Sequence, residues 1–179
     1  KQTLSWSWIE LPNFILNFGI LIDTVTVLML MVVTIVSFLV HLYSTGYMKE
    51  DPRYYRYYAY LSLFSFSMLG LVLVDNLFTL YIFWELVGLS SYLLISFWFE
   101  KPAAAEAGKK AFITTRIGDV GLFIGMLIIF FQTQGLFNYE DIFGAVAKGD
   151  FETEVFGFSL LTVTGICLFL GAVGKSAQF

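Results

Sequence analysis

The sequence predicts an all-α integral membrane protein, a multi-helix bundle with about five transmembrane helices. Three observations carry that expectation. Of 179 residues, 58% are hydrophobic and only 13% charged, with 20 phenylalanines among them. A soluble domain of this size has too little interior to cover so much apolar surface. The apolar residues also fall into five stretches, each near the ~20 residues that a helix needs to cross a bilayer core. Finally, most of the charge lies between those stretches, so the net charge of -4 says little about partners.

Residues 1–20 form a polar and aromatic segment expected on the exported side. Trp6 and Trp8 suit an interfacial belt there, and Ser5 to Phe14 suits short strands outside the bilayer. Helices are predicted at about 23–44, 57–74, 76–98, 108–131 and 156–179, all within one larger transporter domain. Asp23 and Asn76 stand where N-caps stand, and Asp75 belongs to the same short turn as Asn76. Lys49, Arg53 and Arg56 follow the first helix, and Lys101, Lys109 and Lys110 follow the third. The 132–155 loop instead carries Glu140, Asp141, Asp150, Glu152 and Glu154 against Lys148. Positive charge marks the inner side, so the first, third and fifth helices are expected to run inward and the other two outward. The single cysteine, Cys167, excludes an intrachain disulfide and a cysteine metal cluster, and the single histidine, His41, does not make a metal site. The first residue, Lys1, and the lack of a polar tail at the other end are read as marks of an internal piece of a larger protein.

Glu85 is the most informative residue. It lies roughly ~12 Å into the third apolar stretch, where a carboxylate is costly and marks an ion or proton path. Lys175 is the opposite charge, deep in the last stretch; a lysine reaching toward the inner surface is the plainer reading of it. The motif Gly171-Ala-Val-Gly174-Lys175-Ser176 is not a nucleotide loop, because that motif needs glycine at position 169, which is Phe. Glycines beside Lys175 instead suggest a helix that is discontinuous there, as at transporter ion sites. Arg116 and Asp119 share a helix face, either as a neutralised pair or as charges that tune a proton site. Gly118, Gly121 and Gly125 read as a close-packing stripe. His41 has two readings, a satisfied side chain or a proton-uptake group, because imidazole is the side chain type suited to proton exchange under physiological conditions.

Several segments resemble the antiporter-like subunits of respiratory complex I. The stretch Asp75-Asn-Leu-Phe-Thr-Leu-Tyr-Ile-Phe-Trp84-Glu85-Leu-Val-Gly88 is similar to their glutamate helix. Lys110-Ala-Phe-Ile-Thr-Thr-Arg116-Ile-Gly118-Asp119 resembles the next helix of the largest of them, subunit L, and Gly174-Lys175-Ser-Ala-Gln-Phe179 its broken lysine helix. His41-Leu-Tyr-Ser-Thr-Gly-Tyr-Met48 and Phe18-Gly-Ile-Leu-Ile-Asp23 fit the same pattern. The glutamate helix alone also fits Mrp-type cation/proton antiporter subunits.

The resemblance implies an internal fragment from the N-terminal half of such a subunit, with Glu85 and Lys175 facing each other and Asp119 nearby. It implies proton translocation coupled to quinone reduction, with no cofactor in this chain; FMN, iron-sulfur clusters and quinone are expected in partner subunits. The partners implied are the other membrane-arm subunits, a neighbouring antiporter-like subunit, the lipid bilayer and protons, with no nucleic acid. A bacterial plasma membrane is the expected location, with the mitochondrial inner and thylakoid membranes as alternatives. Water along Ser90, Ser91, Thr114 and Thr115 is expected to connect the charges.

Overall fold

The computed structural model describes residues 1–11, 14–155, 157–176 and 178. Pro12, Asn13 and the expected fifth-helix positions Phe156, Ala177 and Phe179 lie outside the described residues. The elements run β1 (Gln2–Leu11), β2 (Phe14–Ile22), α1 (Thr24–Tyr47), α2 (Tyr54–Leu73), α3 (Leu77–Ile95), α4 (Pro102–Gln132), α5 (Tyr139–Lys148), β3 (Glu154–Val155), β4 (Phe158–Ser159) and α6 (Leu160–Lys175). The architecture is a helical membrane bundle with two small two-stranded sheets. Helices α1, α3 and α4 are long and apolar enough to cross a bilayer, whereas α6 is apolar but shorter.

Several limits differ from those predicted, each for a local reason. Helix α4 starts at Pro102, because proline suits the first helical position and Ala103, Ala104 and Ala105 are strong helix formers. Helix α3 stops at Ile95, where the chain turns and Trp98 bonds to the α1–α2 loop. The unanticipated α5 has Glu140 and Asp141 in its first turn, Lys148 in its last, and Gly149 at φ 85 as its left-handed cap. That is the charge order and stop signal a helix favours. The strands β1 and β2, at 10 and 9 residues, are longer than the short strands expected. Trp6 and Trp8 are exposed, and Trp6 stacks on Phe18 at 5.2 Å.

The expected discontinuity is absent through Lys175. Helix α6 passes Gly171 and Gly174 unbroken, and Ser176 caps it with its N–H on Ala172 O at 2.9 Å. Its glycines serve close packing instead, as described below.

The chain divides into two compact units. The first holds Leu21–Leu73 and Ile82–Phe112 with Lys1–Gln2. Within it the Ser37 and Ser65 hydroxyls join α1 to α2 at 2.7 Å. Gly70 of α2 makes room for the Phe83 ring of α3, because a Cβ there would collide with that ring. Tyr92 of α3 and Phe112 of α4 pack at 5.3 Å.

The second unit holds Thr3–Ile20, Val74–Tyr81 and Ile113–Phe179. Its core is Leu16, Leu77, Met126, Ile129, Phe137, Ala145, Phe151 and Leu160. Leu77 N–H donates to Phe137 O at 2.9 Å, and Tyr139 N–H to Asp75 O at 3.2 Å, so the start of α3 is laced to the α4–α5 connection.

Candidate functional site

Helix α3 begins at a cap that the sequence foretold. Asn76 Oδ1 accepts the Thr79 N–H at 2.9 Å, satisfying one of the orphan donors of the first turn. Asp23 does the same for α1, accepting from Thr26 N–H at 2.9 Å. That bond holds the Asp23 carboxyl below its usual range. Glu85 is the ninth residue of α3, half-buried, and the helix around it is otherwise apolar. Ser90 and Ser91, read as seats for water, donate their hydroxyls to Leu86 O and Val87 O of their own helix at 2.8 and 2.7 Å. Their oxygens keep only acceptor capacity for a water chain.

The second unit brings Lys175, Asp119 and Arg116 to one neighbourhood through glycines. A Cβ on Gly118 would meet Leu170 O at 2.9 Å and Gly174 Cα at 3.0 Å, and one on Gly174 would meet Thr114 O at 3.3 Å. Further along, a Cβ on Gly121 would meet Leu170 Cβ at 2.7 Å, and one on Gly171 would meet Leu122 Cβ at 2.8 Å. Helices α4 and α6 therefore pack backbone to backbone, the close approach that small residues allow in membranes. Lys175 and Asp119 each follow one of the two touching glycines, Gly174 and Gly118. Asp119 is 3% exposed, while Arg116 and Lys175 are half-buried. Lys175 is also the last residue of α6, where the helix dipole favours a cation.

His41 belongs to the first unit, on α1 and facing Tyr58 of α2. Its Nδ1 lies 2.7 Å from Ser37 O, which can only accept, so Nδ1 carries the proton and Nε2 is left as the basic nitrogen. Ser65 Oγ–H donates to Leu61 O at 3.0 Å, which leaves Ser37 Oγ–H as the donor to Ser65 Oγ. The hydroxyl chain from Ser37 through Ser65 thus ends on the Leu61 carbonyl. Tyr58 OH also donates to His41 O at 2.8 Å.

Two clusters outside the spans were not legible as sites. In the first unit, Trp98 Nε1–H donates to Asp51 Oδ2 at 2.8 Å and Arg53 pairs with Glu100 at 2.6 Å. Arg53 also lies over the Phe97 and Phe99 rings. The Trp98 hydrogen bond holds the Asp51 carboxyl below its usual range, and the Arg53 hydrogen bond does so for Glu100. In the second unit, Asp75 fills the space over Gly19, where a Cβ would collide with its carboxylate. Burial raises the Asp75 carboxyl above its usual range, the Asn76 hydrogen bond opposes this, and Glu140 adds to it. Burial, and then Asp75, push the Tyr139 phenol up as well. Among the described residues, no three histidine, cysteine or carboxylate side chains gather as a metal site.

Residues 8–58 match the family model described as "NADH-Ubiquinone oxidoreductase (complex I), chain 5 N-terminus". Residues 74–179, more than half of the chain, match "NADH:quinone oxidoreductase/Mrp antiporter, TM". The chain is 52% identical, over 98% of its length, to a protein of Anthoceros angustus named NAD(P)H-quinone oxidoreductase subunit 5, chloroplastic. It is 50% and 49% identical, over 97% of its length, to the proteins of that name from Carpenteria californica and Symphyotrichum cordifolium. It spans 24%, 23% and 23% of these three relatives, about a quarter of each.

Proposed function

The chain belongs to the NADH:quinone oxidoreductase/Mrp antiporter transmembrane family, and on that premise we propose that it is part of a proton-translocating membrane subunit of an NAD(P)H-quinone oxidoreductase. The observation that carries the reading is Glu85, a carboxylate in the middle of an apolar helix and inside the stretch that the family model matches. Intramembrane carboxylates are expensive and mark proton or ion paths. The narrower assignment to subunit L rests on Thr115-Arg116-Ile-Gly118-Asp119.

In this reading Glu85 and Lys175 are the coupled proton carriers, with Asp119 and Arg116 tuning Lys175 and His41 a weaker candidate for proton uptake. The glycine packing that sets Asp119 and Lys175 at one level of α4 and α6 supports that tuning. An amine parted from its carboxylate in a dry site binds its proton less tightly. Breaking such a pair costs about 3–5 kcal/mol, and moving one charge across 100 mV costs about 2.3 kcal/mol. The two magnitudes are comparable, so opening the pair is a workable gate for one proton against the membrane potential.

Redox chemistry is assigned to partner subunits, which hold FMN, iron-sulfur clusters and quinone, and this chain contributes only translocation. Its partners are the other membrane-arm subunits and a neighbouring antiporter-like subunit. The membrane is a bacterial plasma membrane or, as the chloroplastic relatives favour, a thylakoid. The Mrp antiporter also named in the family description supplies the second reading, a monovalent cation/proton antiporter. That reading requires a sodium-dependent activity and no copurifying oxidoreductase.

The test is dye-monitored proton uptake by closed vesicles carrying the full-length protein with Glu85→Gln, with assembly and electron transfer followed alongside. Electron flow with a sharp loss of pumping is expected. Unchanged pumping per electron would remove Glu85 from the path.

A further inference from the structure

One side chain of the second unit that carries no charge is fastened on three sides. Asn76 is 1% exposed. Its Oδ1 accepts from Thr79 N–H at 2.9 Å, and its Nδ2 donates to Asn17 O of β2 at 2.8 Å and to Asp75 Oδ1 at 3.2 Å. Its backbone bridges to Asn138, just before α5, and the next residue, Leu77, donates to Phe137 O at 2.9 Å. One amide therefore does three things: it caps α3, ties that cap to β2, and holds Asp75 in its place over Gly19. An N-cap needs only an acceptor, and Ser or Asp would supply one. The two donors are what asparagine adds.

We infer that Asn76 is a positioning residue for proton translocation, whose amide donors fix the depth and rotation of the glutamate helix by fastening its first turn to β2. The inference rests on the role proposed for Glu85. Helix α3 is continuous from Leu77 to Ile95, so a shift or rotation of the cap is carried along the rod to Glu85, one turn for every 3.6 residues. Catalytic geometry is sensitive to such shifts, and a misplacement of about 1 Å costs up to ~100-fold. Asn76 acts only through Glu85.

The experiment uses the assembled complex in closed vesicles and reads protons moved per electron across pH. Asn76→Ala removes cap and donors. Asn76→Asp keeps the acceptor and loses both donors while ionised, but regains one O–H donor when protonated, and its neighbour Asp75 favours that protonation. With electron transfer intact, the alanine variant is expected to lose about tenfold in the ratio at every pH. The aspartate variant loses it at neutral pH and recovers as the pH falls toward the carboxyl range, about pH 4. A cap of structural value alone would give no such recovery.

Wild-type ratios for both variants, while Glu85→Gln abolishes pumping, would overturn the inference and leave the function standing. Normal pumping by Glu85→Gln would overturn the function and this inference with it. If a variant fails to assemble, hydrogen exchange in the wild-type complex decides. The Leu77 and Thr79 amides should be among the slowest in the second unit, and exchange at the rate of exposed loops would overturn the inference.

Discussion

At its N-terminal end α3 is held by Asn76, a neutral amide 1% exposed, in an arrangement where every side-chain donor and acceptor has a named partner. Past its C-terminal end the chain is held by Asp51, Arg53, Trp98 and Glu100, a charged cluster of which Glu100 is 57% exposed. A neutral amide is far cheaper to bury than an ion, so the first fastening sits in the core and keeps its geometry whatever the salt. The second is screened by salt and shared with water. The two fastenings therefore differ in how far salt and water reach them.

The largest expected effect comes from breaking the buried end. Asn76→Ala loses the cap and the side-chain bond to Asn17 O, which together cost about 2 kcal/mol. Segment-resolved hydrogen exchange on the full-length protein should show it as faster exchange at Thr79 and Leu80. Trp98→Phe keeps most of the ring packing and removes only the bond to Asp51. Its effect on the 96–101 turn should be smaller, and raising the salt should weaken what remains there without touching Thr79. An equal loss at both ends would erase the distinction between them.

Acid should separate the ends by sign. Asp75 has a folded pKa raised above 3.8, so its contribution is present below that value and fades as pH rises through the raised one. Asp51 and Glu100 have folded pKa values lowered from 3.8 and 4.5. Their contributions are present above those values and fade as pH falls through the lowered ones. Acidification to about pH 3.5 should therefore firm the first turn of α3 and loosen the 96–101 turn, after correction for intrinsic exchange rates. Both segments moving together would contradict the assignment.

What was legible in the sequence was what is local or carried by a long apolar run. The membrane bundle followed from such runs, and three of them, in α1, α3 and α4, form helices long and apolar enough to cross a bilayer. The caps at Asp23 and Asn76 followed from bonds only three residues long, and the Gly118, Gly121 and Gly125 stripe followed from helical spacing. Long-range ties were not legible: Asn76 reaches Asn17 across 59 positions and Trp98 reaches Asp51 across 47, and nothing in one sequence marks such partners. Gly171 and Gly174 had two readings, because glycine either frees a helix or lets another approach it. The facing backbone of α4 decides which. Helix α5 was hidden because its 10 residues are too few for a periodic pattern to stand out inside an acidic loop. The family resemblance was legible because Trp84-Glu85 and Arg116-Ile-Gly118-Asp119 are specific strings.

The central claim is that Glu85 and Lys175 act as one coupled proton carrier. It is tested most directly by a double-mutant cycle on protons moved per electron, with Glu85→Gln, Lys175→Met and both together in the assembled complex. A coupled pair gives a double variant no worse than the more damaging single one. Independent losses that multiply, or full pumping in either single variant, would contradict it.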